Sequence, residues 1–332
     1  MNLPQGRPSL QLPSVILFLS LLPDSVIVGL YGGIPVGEVV VVSGKRKYRV
    51  KAQRGRLVVN GVRRRRLVLK NARLLKPLRG DYPGLLILKP KGKGVLMLNK
   101  VPREEYIADV IASEMGNAPL EALKAQAVLA RTFLMRWGKR HGTFHACDRD
   151  HCQRYEGRNR VRPVHRRAAK ETRGMVLTYK GKPVEVLYHA SCGGWVCEPK
   201  YVWKGGRSLP YFWTGEDEDC FEDDNVRYTW KVFSPLKTCP RVKRIPGSLR
   251  VYMMMLGKDT LYAYDIRRRF NLPSTVFAYW CTQTGVIFIG TGRGHGVGLC
   301  QRGAILKAQK GWDFKKILRF YYHGTTVRRV GK

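Results

Sequence analysis

The stretch from Leu120 to Trp137 carries apolar side chains at the three- and four-residue intervals of one helix face. That face contains Leu123, Ala127, Ala130, Leu134 and Trp137. A face this regular has to pack against a core, so the pattern predicts a long buried helix. A shorter helix is predicted just before it, from about Arg103 to Met115, because Pro102 and the acidic residues that follow suit a helix start.

Short strands are predicted on both sides of this helical pair. Apolar and β-branched runs bounded by Gly, Asn, Pro or charged residues occur at 39–42, 48–50, 57–62, 67–69, 85–88, 175–179, 184–189 and 286–289. Two more helices are predicted near the end of the chain, from about Gln301 to Gln309 and from Asp313 to Tyr322. Clustered strands and helices without a regular alternation indicate an α+β fold of mixed strands and helices.

Residues 1–30 are a possible signal or anchor segment. Val15 to Leu22 is apolar except for Ser20, and Arg7 supplies one positive charge before it. This run is too short for an ordinary transmembrane helix, and no small-residue cleavage site follows it. The alternative is a buried N-terminal strand or helix, and the sequence leaves both interpretations open.

A large excess of basic residues predicts a polyanionic partner. The chain has 61 Lys and Arg against 24 Asp and Glu, a formal net charge of +37. Nucleic acid, anionic lipid or an acidic cell-wall polymer would each suit this charge. We interpret residues 31–94 as a basic β-rich N-terminal region, in which the run Arg63–Arg66 is either a solvated face or part of an anion-docking module. A hydrophobic content of 44% excludes a mainly disordered protein.

The glycine-rich stretch from Gly290 to Gly298 fits neither common nucleotide-binding motif. None of its glycines begins a G-x-G-x-x-G pattern, and Leu299 to Gln301 stands where a phosphate-binding loop needs Gly-Lys-Ser/Thr. We therefore predict a strand-to-helix turn whose backbone approaches a ligand or a neighbouring segment closely.

The chain has eight cysteines, and four of them form two closely spaced pairs, Cys147 with Cys152 and Cys192 with Cys197. An even number suits disulfides in an oxidising compartment, whereas close pairs also suit a metal. Three histidines lie near the first pair, namely His141, His145 and His151. Zinc accepts Cys and His at about these separations, and a closed site needs four ligands. Zinc, a disulfide and free thiols all remain open for this pair.

Glu114 is the candidate general acid. It lies at a predicted helix end in apolar company, and such surroundings disfavour the charged form of a carboxyl group and raise its pKa. Taken alone, the position is more typical of a surface residue.

Several sequence blocks together resemble one known family. They are Leu98–Tyr106, Ser113–Met115, Glu121–Val128, Ala130–Thr132, Tyr188–Gly194, Gly294–Gly298 with Gln301 and Gly303–Ala304, and Tyr321–Thr325. Each block is weak by itself, but this many blocks in the family's order are hard to obtain by chance. The chain resembles the stage II sporulation protein D family (SpoIID/LytB) over about residues 95–327, which we interpret as the catalytic domain.

The resemblance implies a lytic transglycosylase, a lyase that acts on peptidoglycan in a glycan groove. Such enzymes cleave the β-1,4 bond between N-acetylmuramic acid and N-acetylglucosamine and leave a 1,6-anhydromuramic end. The family's acid corresponds to Glu114 here. Ordinary glycosidases use two carboxylates. In this reaction the sugar's own 6-hydroxyl attacks, so one carboxyl group can act first as acid and then as base.

Further site residues are also implied by the resemblance. The expected groove walls are Lys124, Gln126, Arg131, His295 and Gln301, for which structural hydrogen bonding is the alternative. Similarity to zinc-binding members implies a structural zinc ion held by His141, Cys147, His151 and Cys152, with His145 as a reserve ligand. The chemistry itself requires no cofactor. Cys300 and Arg302 depart from the family's usual Ser and aromatic residue, and neither is the proposed acid.

The expected substrate is peptidoglycan glycan strands stripped of their peptides, and a cell-wall amidase is a candidate partner. We expect the protein in the cell envelope, either exported or anchored through its N-terminal segment. One alternative is a non-catalytic stimulator of an amidase, which full stimulation by a Glu114→Gln protein would favour. The other is a nucleic-acid-binding protein. Only the charge supports it, so no specific nucleic acid is expected.

Overall fold

The computed structural model describes residues 23–222 and 228–330. The α-helices in these ranges are α1 (Arg103–Met115), α2 (Leu120–Trp137), α3 (Pro163–Glu171), α4 (Glu218–Phe221), α5 (Ala263–Arg269), α6 (Gln301–Gln309) and α7 (Phe314–Tyr321). Short 3₁₀ turns cover Leu30–Gly33, Arg158–Arg160 and Pro199–Tyr201. The four predicted helices are confirmed as α1, α2, α6 and α7. Within the described ranges, every helix is too short or too polar to cross a bilayer.

A nine-stranded sheet contains most of the N-terminal strands. In chain order they are β1 (Ser25–Gly29), β2 (Glu38–Ser43), β3 (Arg46–Gln53), β4 (Arg56–Val59), β5 (Val62–Arg64), β6 (Leu67–Lys76), β7 (Gly80–Lys91), β8 (Gly94–Pro102) and β9 (Ala146–Cys147). The order across the sheet is β5-β4-β3-β2-β6-β7-β8-β1-β9. The predicted strand 57–62 is divided into β4 and β5, because Asn60 and Gly61 adopt positive φ angles and form a tight turn.

One hydrophobic core joins this sheet to the helices. Val28 of β1, Leu98 of β8, Ile107 of α1 and Leu123 of α2 are buried in the same cluster. Strand β8 leads directly into α1, since Pro102 ends the strand and caps the helix. The two helices are therefore packed against the sheet.

The nine-stranded sheet extends across both boundaries that were expected in the N-terminal part of the chain. The boundary expected between residues 94 and 95 falls at the start of β8, within the sheet. Residues 25–29 of the possible leader form β1, which pairs with β8 on one side and β9 on the other. The apolar run Val15–Leu22 lies outside the described residues.

Smaller sheets follow the helices. They contain β10 (Met175–Tyr179), β11 (Lys182–Pro183), β12 (Tyr188–His189), β13 (Trp195–Val196), β14 (Gly215–Glu216), β21 (Leu299–Cys300) and β22 (Thr326–Arg329). The strand predicted over 184–189 is wrong for residues 184–187, which belong to no strand. Val184 and Val186 are buried there, so the alternation of apolar and polar residues reflects burial of one side of the segment and not pairing in a sheet.

A unit with its own core lies between β14 and β21. It contains β15 (Thr229–Ser234), β16 (Arg241–Arg244), β17 (Val251–Leu256), β18 (Asp259–Tyr262), α5, β19 (Val276–Cys281) and β20 (Val286–Thr291). These strands form two three-stranded sheets. Met254, Ile266 and Phe288 belong to a second buried cluster, and a disulfide joins Cys239 to Cys281. Of this unit, the sequence predicted only the strand that became β20.

Candidate functional site

Glu114 lies in the last turn of α1, two residues before the capping Gly116. Carbonyl groups at this end of a helix give it a partial negative charge, which disfavours an ionised carboxylate. The side chain is partly buried and keeps a route to solvent. The local structure therefore favours a carboxyl group that holds its proton more readily than an exposed one.

Three hydrogen bonds reach the Glu114 carboxyl group from distant parts of the chain. The Arg154 backbone N–H donates to Oε1 at 2.8 Å, and the Tyr188 hydroxyl donates to the same oxygen at 3.1 Å. Gln301 Nε2 donates to Oε2 at 3.4 Å. The sequence predicted Gln301 at this site and missed Tyr188 and Arg154. Tyr188 lay within a block that carried the family resemblance, which was the available signal.

Tyr188 and Gln301 come together because β12 and β21 are parallel neighbours. Tyr188 pairs with Leu299, and His189 pairs with Cys300. Gln301 therefore directly follows the last paired residue of β21. The predicted close backbone approach of the glycine-rich stretch is confirmed at Gly298, where any side chain would collide with the Leu187 carbonyl group. Gly298 also has a φ of 69°, which favours glycine. The glycine thus lets β21 lie beside the segment that carries Tyr188.

Burial raises the pKa of Glu114 above its usual value. The hydrogen bonds from Arg154, Gln301 and Tyr188 stabilise the ionised form and offset part of this rise, while the negative charge of Asp150 adds to it. A raised pKa favours the protonated form of the carboxyl group, which is the form that a general acid requires.

A cavity of about 820 Å³ lies beside this site. Its lining includes Arg154, whose backbone contacts Glu114, together with Tyr82, Arg79 and Arg160. Asp150 contributes a carboxylate to the same lining. Arg149 adds a further positive charge, and Asp148 and Glu156 add two further carboxylates, so the cavity is polar and lined by charges of both signs.

Three of the expected groove residues lie elsewhere. Lys124 forms ion pairs with Glu121 at 2.7 Å and Glu171 at 2.6 Å. Arg131 is fully buried and pairs with Glu104 at 2.8 Å, and Gln126 is fully buried as well. The structure therefore corrects the assignment of Gln126 and Arg131 as groove walls, because their side chains have no exposed surface that a glycan could contact.

His295 belongs to a cluster of rings. Its Nδ1 accepts a hydrogen bond from the Val297 backbone at 3.0 Å, and its ring lies 5.4 Å from the rings of both His189 and Trp203. Burial lowers the pKa of His295 to about 3, and the charges of nearby arginines contribute. The imidazole is therefore neutral at pH 7 and does not act as a cationic sugar or phosphate contact.

The four expected zinc ligands are brought together. One ligand atom each from His141, Cys147, His151 and Cys152 lies within 4.8 Å of the other three. His141 Nε2 is 3.2 Å from Cys152 Sγ, and His151 Nδ1 is 3.5 Å and 3.8 Å from Cys152 Sγ and Cys147 Sγ. A tetrahedral zinc with bonds of about 2.0–2.3 Å separates its ligand atoms by about 3.3–3.8 Å. The donor set therefore fits zinc.

His145, the reserve ligand, is engaged elsewhere. Its Nδ1 accepts a hydrogen bond from the Ile27 backbone at 2.9 Å, so it fixes the loop to β1. Asp148 holds the same loop, since its carboxylate accepts from the Tyr31 and Gly32 N–H groups, both at 2.7 Å. Cys152 precedes Arg154 by two residues. The histidine–cysteine cluster thus anchors the segment that reaches Glu114.

Comparison with known proteins identifies the family. The model of the stage II sporulation protein family (SpoIID) matches residues 91–179. An uncharacterised protein of Brachyspira hyodysenteriae is 30% identical over 275 residues, which cover 76% of this chain and 74% of that protein. The chain belongs to the stage II sporulation protein D family. The family assignment made from the sequence is thereby confirmed, and the matched residues include Glu114 and the four residues of the histidine–cysteine cluster.

Named relatives of this SpoIID family member are known in Bacillus. Stage II sporulation protein D of Bacillus amyloliquefaciens is 28% identical over 273 residues, covering 69% of this chain and 75% of that protein. Stage II sporulation protein D of Bacillus subtilis is 27% identical over 261 residues, with the same coverage of 69% and 75%. The amidase enhancer of Bacillus subtilis is 25% identical over 289 residues, which are 66% of this chain and 39% of that protein.

Proposed function

We propose that this protein is a peptidoglycan lytic transglycosylase whose general acid is Glu114. Its family, together with its similarity to an amidase enhancer, supports a cell-wall-related role. The observation that carries the proposal is the Glu114 carboxyl group itself. It is partly buried, has a raised pKa, and is oriented by Tyr188 and Gln301.

The proposed reaction needs one carboxyl group. Protonated Glu114 donates its proton to the glycosidic oxygen while the bond from that oxygen to C1 of N-acetylmuramic acid breaks. The 6-hydroxyl of the same sugar then forms a bond to C1, and the Glu114 carboxylate accepts the hydroxyl proton. The carboxyl group is thus restored, no water is consumed, and the new end is a 1,6-anhydro sugar.

Tyr188 and Gln301 act as positioning residues in this scheme. Their hydrogen bonds hold the carboxyl oxygens in fixed directions and stabilise the ionised state that forms halfway through the reaction. Burial by itself raises the pKa of the carboxyl group and weakens its ionised form as the base of the second proton transfer. The two opposing effects keep the group able both to give and to accept a proton.

The substrate would lie in the cavity beside Arg154. Removal of the peptides from glycan strands leaves a free carboxylate on the lactyl group of each N-acetylmuramic acid. Arg79 lines this cavity and would pair with such a carboxylate, whereas Arg160 already pairs with Glu156 at 2.8 Å. This charge match is why we propose peptide-stripped strands as the preferred substrate, with the cell envelope as the place of action.

We further propose that His141, Cys147, His151 and Cys152 hold a structural zinc ion. The ion would cross-link the loop between α2 and α3. No step of the reaction passes through it. Its effect on the site is indirect, because this loop presents the Arg154 N–H to Glu114.

The test compares products from purified, peptide-stripped glycan strands by mass spectrometry. The wild type should release fragments with anhydro ends, and Glu114→Gln should release none. Glu105→Gln is the matched control, since Glu105 lies on the same helix and is 40% exposed. Anhydro products from the Glu114→Gln protein would remove Glu114 from the proposed role.

Stimulation of a cell-wall amidase is the second candidate function. It is supported by the similarity to the amidase enhancer and by an exposed apolar sheet face formed by Phe233, Trp280 and Ile289. Phe233 and Trp280 both pair with Ile287, so they lie on one face of the β15-β20-β19 sheet. Full stimulation of an amidase by the Glu114→Gln protein, together with its loss in Trp280→Ala, would favour this function over catalysis.

A further inference from the structure

We propose that Cys192, Asp217, Cys220 and Cys300 form a second metal site, suited to a thiophilic divalent cation such as Zn²⁺. The proposal concerns residues that neither the catalytic scheme nor the first histidine–cysteine cluster uses. It stands independently of the proposed function.

The geometry of the four side chains matches a closed site. One ligand atom from each lies within 4.8 Å of the other three, and all four residues are buried. Cys220 Sγ is 3.8 Å from Cys300 Sγ, and Cys192 Sγ is 3.6 Å from Asp217 Oδ2. Zinc–sulfur bonds of about 2.3 Å place two tetrahedral thiolate ligands about 3.8 Å apart. The separation of Cys220 and Cys300 therefore equals the edge of a zinc tetrahedron.

Backbone N–H groups point at the sulfur of Cys300. The N–H groups of Cys192 and Gly303 each donate to it at 3.2 Å. Cys300 also caps the N-terminus of α6, where the partial positive charge of the helix favours an anion. These contacts oppose the effect of burial, which raises the pKa of Cys300, and they favour the thiolate, which is the form of cysteine that binds metals.

Asp217 is oriented by two neighbours. Lys307 Nζ contacts its Oδ1 at 2.5 Å, and the Tyr321 hydroxyl donates to its Oδ2 at 2.6 Å. Metal-binding carboxylates are commonly held by such outer hydrogen bonds. Three thiolates and one carboxylate carry four negative charges, and Lys307 offsets one of them. A divalent cation would offset two more, which makes burial of the ionised set far less costly.

The site would connect segments that lie far apart in the chain. Cys192 follows β12, Cys220 lies in α4, and Cys300 ends β21. Tyr188 is four residues before Cys192, and Gln301 directly follows Cys300. A metal bound here would therefore fix the relative positions of the two segments that contact Glu114.

The first measurement is the metal content of the purified full-length chain. The protein is prepared under reducing conditions, incubated with ZnCl₂, passed over a chelating resin and analysed by inductively coupled plasma mass spectrometry. We expect two zinc ions per chain. A wild-type protein that binds no zinc would overturn the proposal. A single zinc ion per chain would also overturn it, if that ion is lost in Cys147→Ser and retained in Cys220→Ser.

Variants assign each ion to its site. Cys220→Ser and Cys147→Ser should each bind one zinc, and the double variant should bind none. Cys197→Ser is the matched control, because Cys197 is a buried free cysteine outside both clusters, and it should retain two. Two ions in Cys220→Ser would overturn the proposal.

Two measurements on other forms of the chain guard against misfolding and oxidation. Cobalt-loaded Cys147→Ser protein should keep a thiolate-to-cobalt charge-transfer band, which the Cys147→Ser/Cys220→Ser protein should lack. The intact mass of the non-reduced wild type should show the Cys239–Cys281 disulfide alone. A further disulfide among Cys192, Cys220 and Cys300 in the zinc-loaded protein would contradict the metal site.

Discussion

The hydrogen bond from Tyr188 to Glu114 predicts how the pH dependence of activity changes when the Tyr188 hydroxyl is removed. Tyr188→Phe removes the hydroxyl that donates to Glu114 Oε1 at 3.1 Å and leaves the ring in place. That hydroxyl stabilises the ionised carboxylate. Without it, the charged form is less favourable, and the pKa of Glu114 must rise.

The size of the rise follows from the strength of the bond. A hydrogen bond to a charged group contributes about 1.5–3 kcal/mol. Because Glu114 is partly exposed, water can replace part of the loss, and the lower end applies. About 1.4 kcal/mol corresponds to one pKa unit. A general acid works in its protonated form, so the alkaline limb of kcat/KM should move upward by about one pH unit.

The assay measures release of anhydro ends across a pH series for the wild type and Tyr188→Phe. Gln301→Met should give a smaller shift in the same direction, because its bond to Glu114 is longer at 3.4 Å. Tyr252→Phe is the control, since Tyr252 lies on β17 and packs against the Tyr201 ring, and this variant should leave the limb unchanged. An alkaline limb that stays in place or moves downward in Tyr188→Phe would refute the reasoning.

Three further predictions concern stability. Arg131→Met should lower the free energy of unfolding by about 1.5–3 kcal/mol in urea titrations, because the partly exposed Glu104 loses the buried Arg131 but keeps its ion pair with Arg103. A loss well below about 1 kcal/mol would contradict this. Asp109→Asn should raise stability at pH 8 by up to about 4 kcal/mol. Burial raises the pKa of Asp109 from 3.8 to about 7, so the wild type loses stability as the pH rises from about 4 to 7. An equal loss of stability over this range in Asp109→Asn would contradict the prediction. Cys239→Ser should destabilise the 229–291 unit by about 4 kcal/mol, because its disulfide joins residues separated by 42 positions. Amide hydrogen exchange should become faster within that unit and stay unchanged in the rest of the chain.

The elements with strong local signals could be predicted from the sequence. The buried face of α2 and the capped start of α1 depend on nearby residues, so their spacing alone located both helices. Most of the strand runs of the nine-stranded sheet were found for the same reason. The pairing of β1 with β9, which brings Gly29 beside Cys147, depends on contacts more than a hundred residues apart and has no local signature.

The candidate site was predicted in part. Residues carried by short motifs were identified, whereas residues that reach the site through contacts distant in sequence were missed. Glu114 and the clustered histidines and cysteines were found because a motif and a short spacing carry them. Arg131 was misassigned, because a basic residue on a helix looks the same whether it faces a groove or a buried partner such as Glu104. Tyr188 was missed, since its approach to Glu114 requires the parallel pairing of β12 with β21.

The atom balance of the reaction gives the most direct test of the central proposal. Peptide-stripped glycan strands are digested by the wild-type protein in water enriched in oxygen-18, and the new ends are analysed by mass spectrometry. Attack by the sugar's own 6-hydroxyl predicts anhydro ends that contain no oxygen-18. New reducing ends in place of anhydro ends, carrying more label than the strands take up without enzyme, would show that water is the nucleophile. That result would contradict the proposed role of Glu114 as the only carboxyl group the reaction needs.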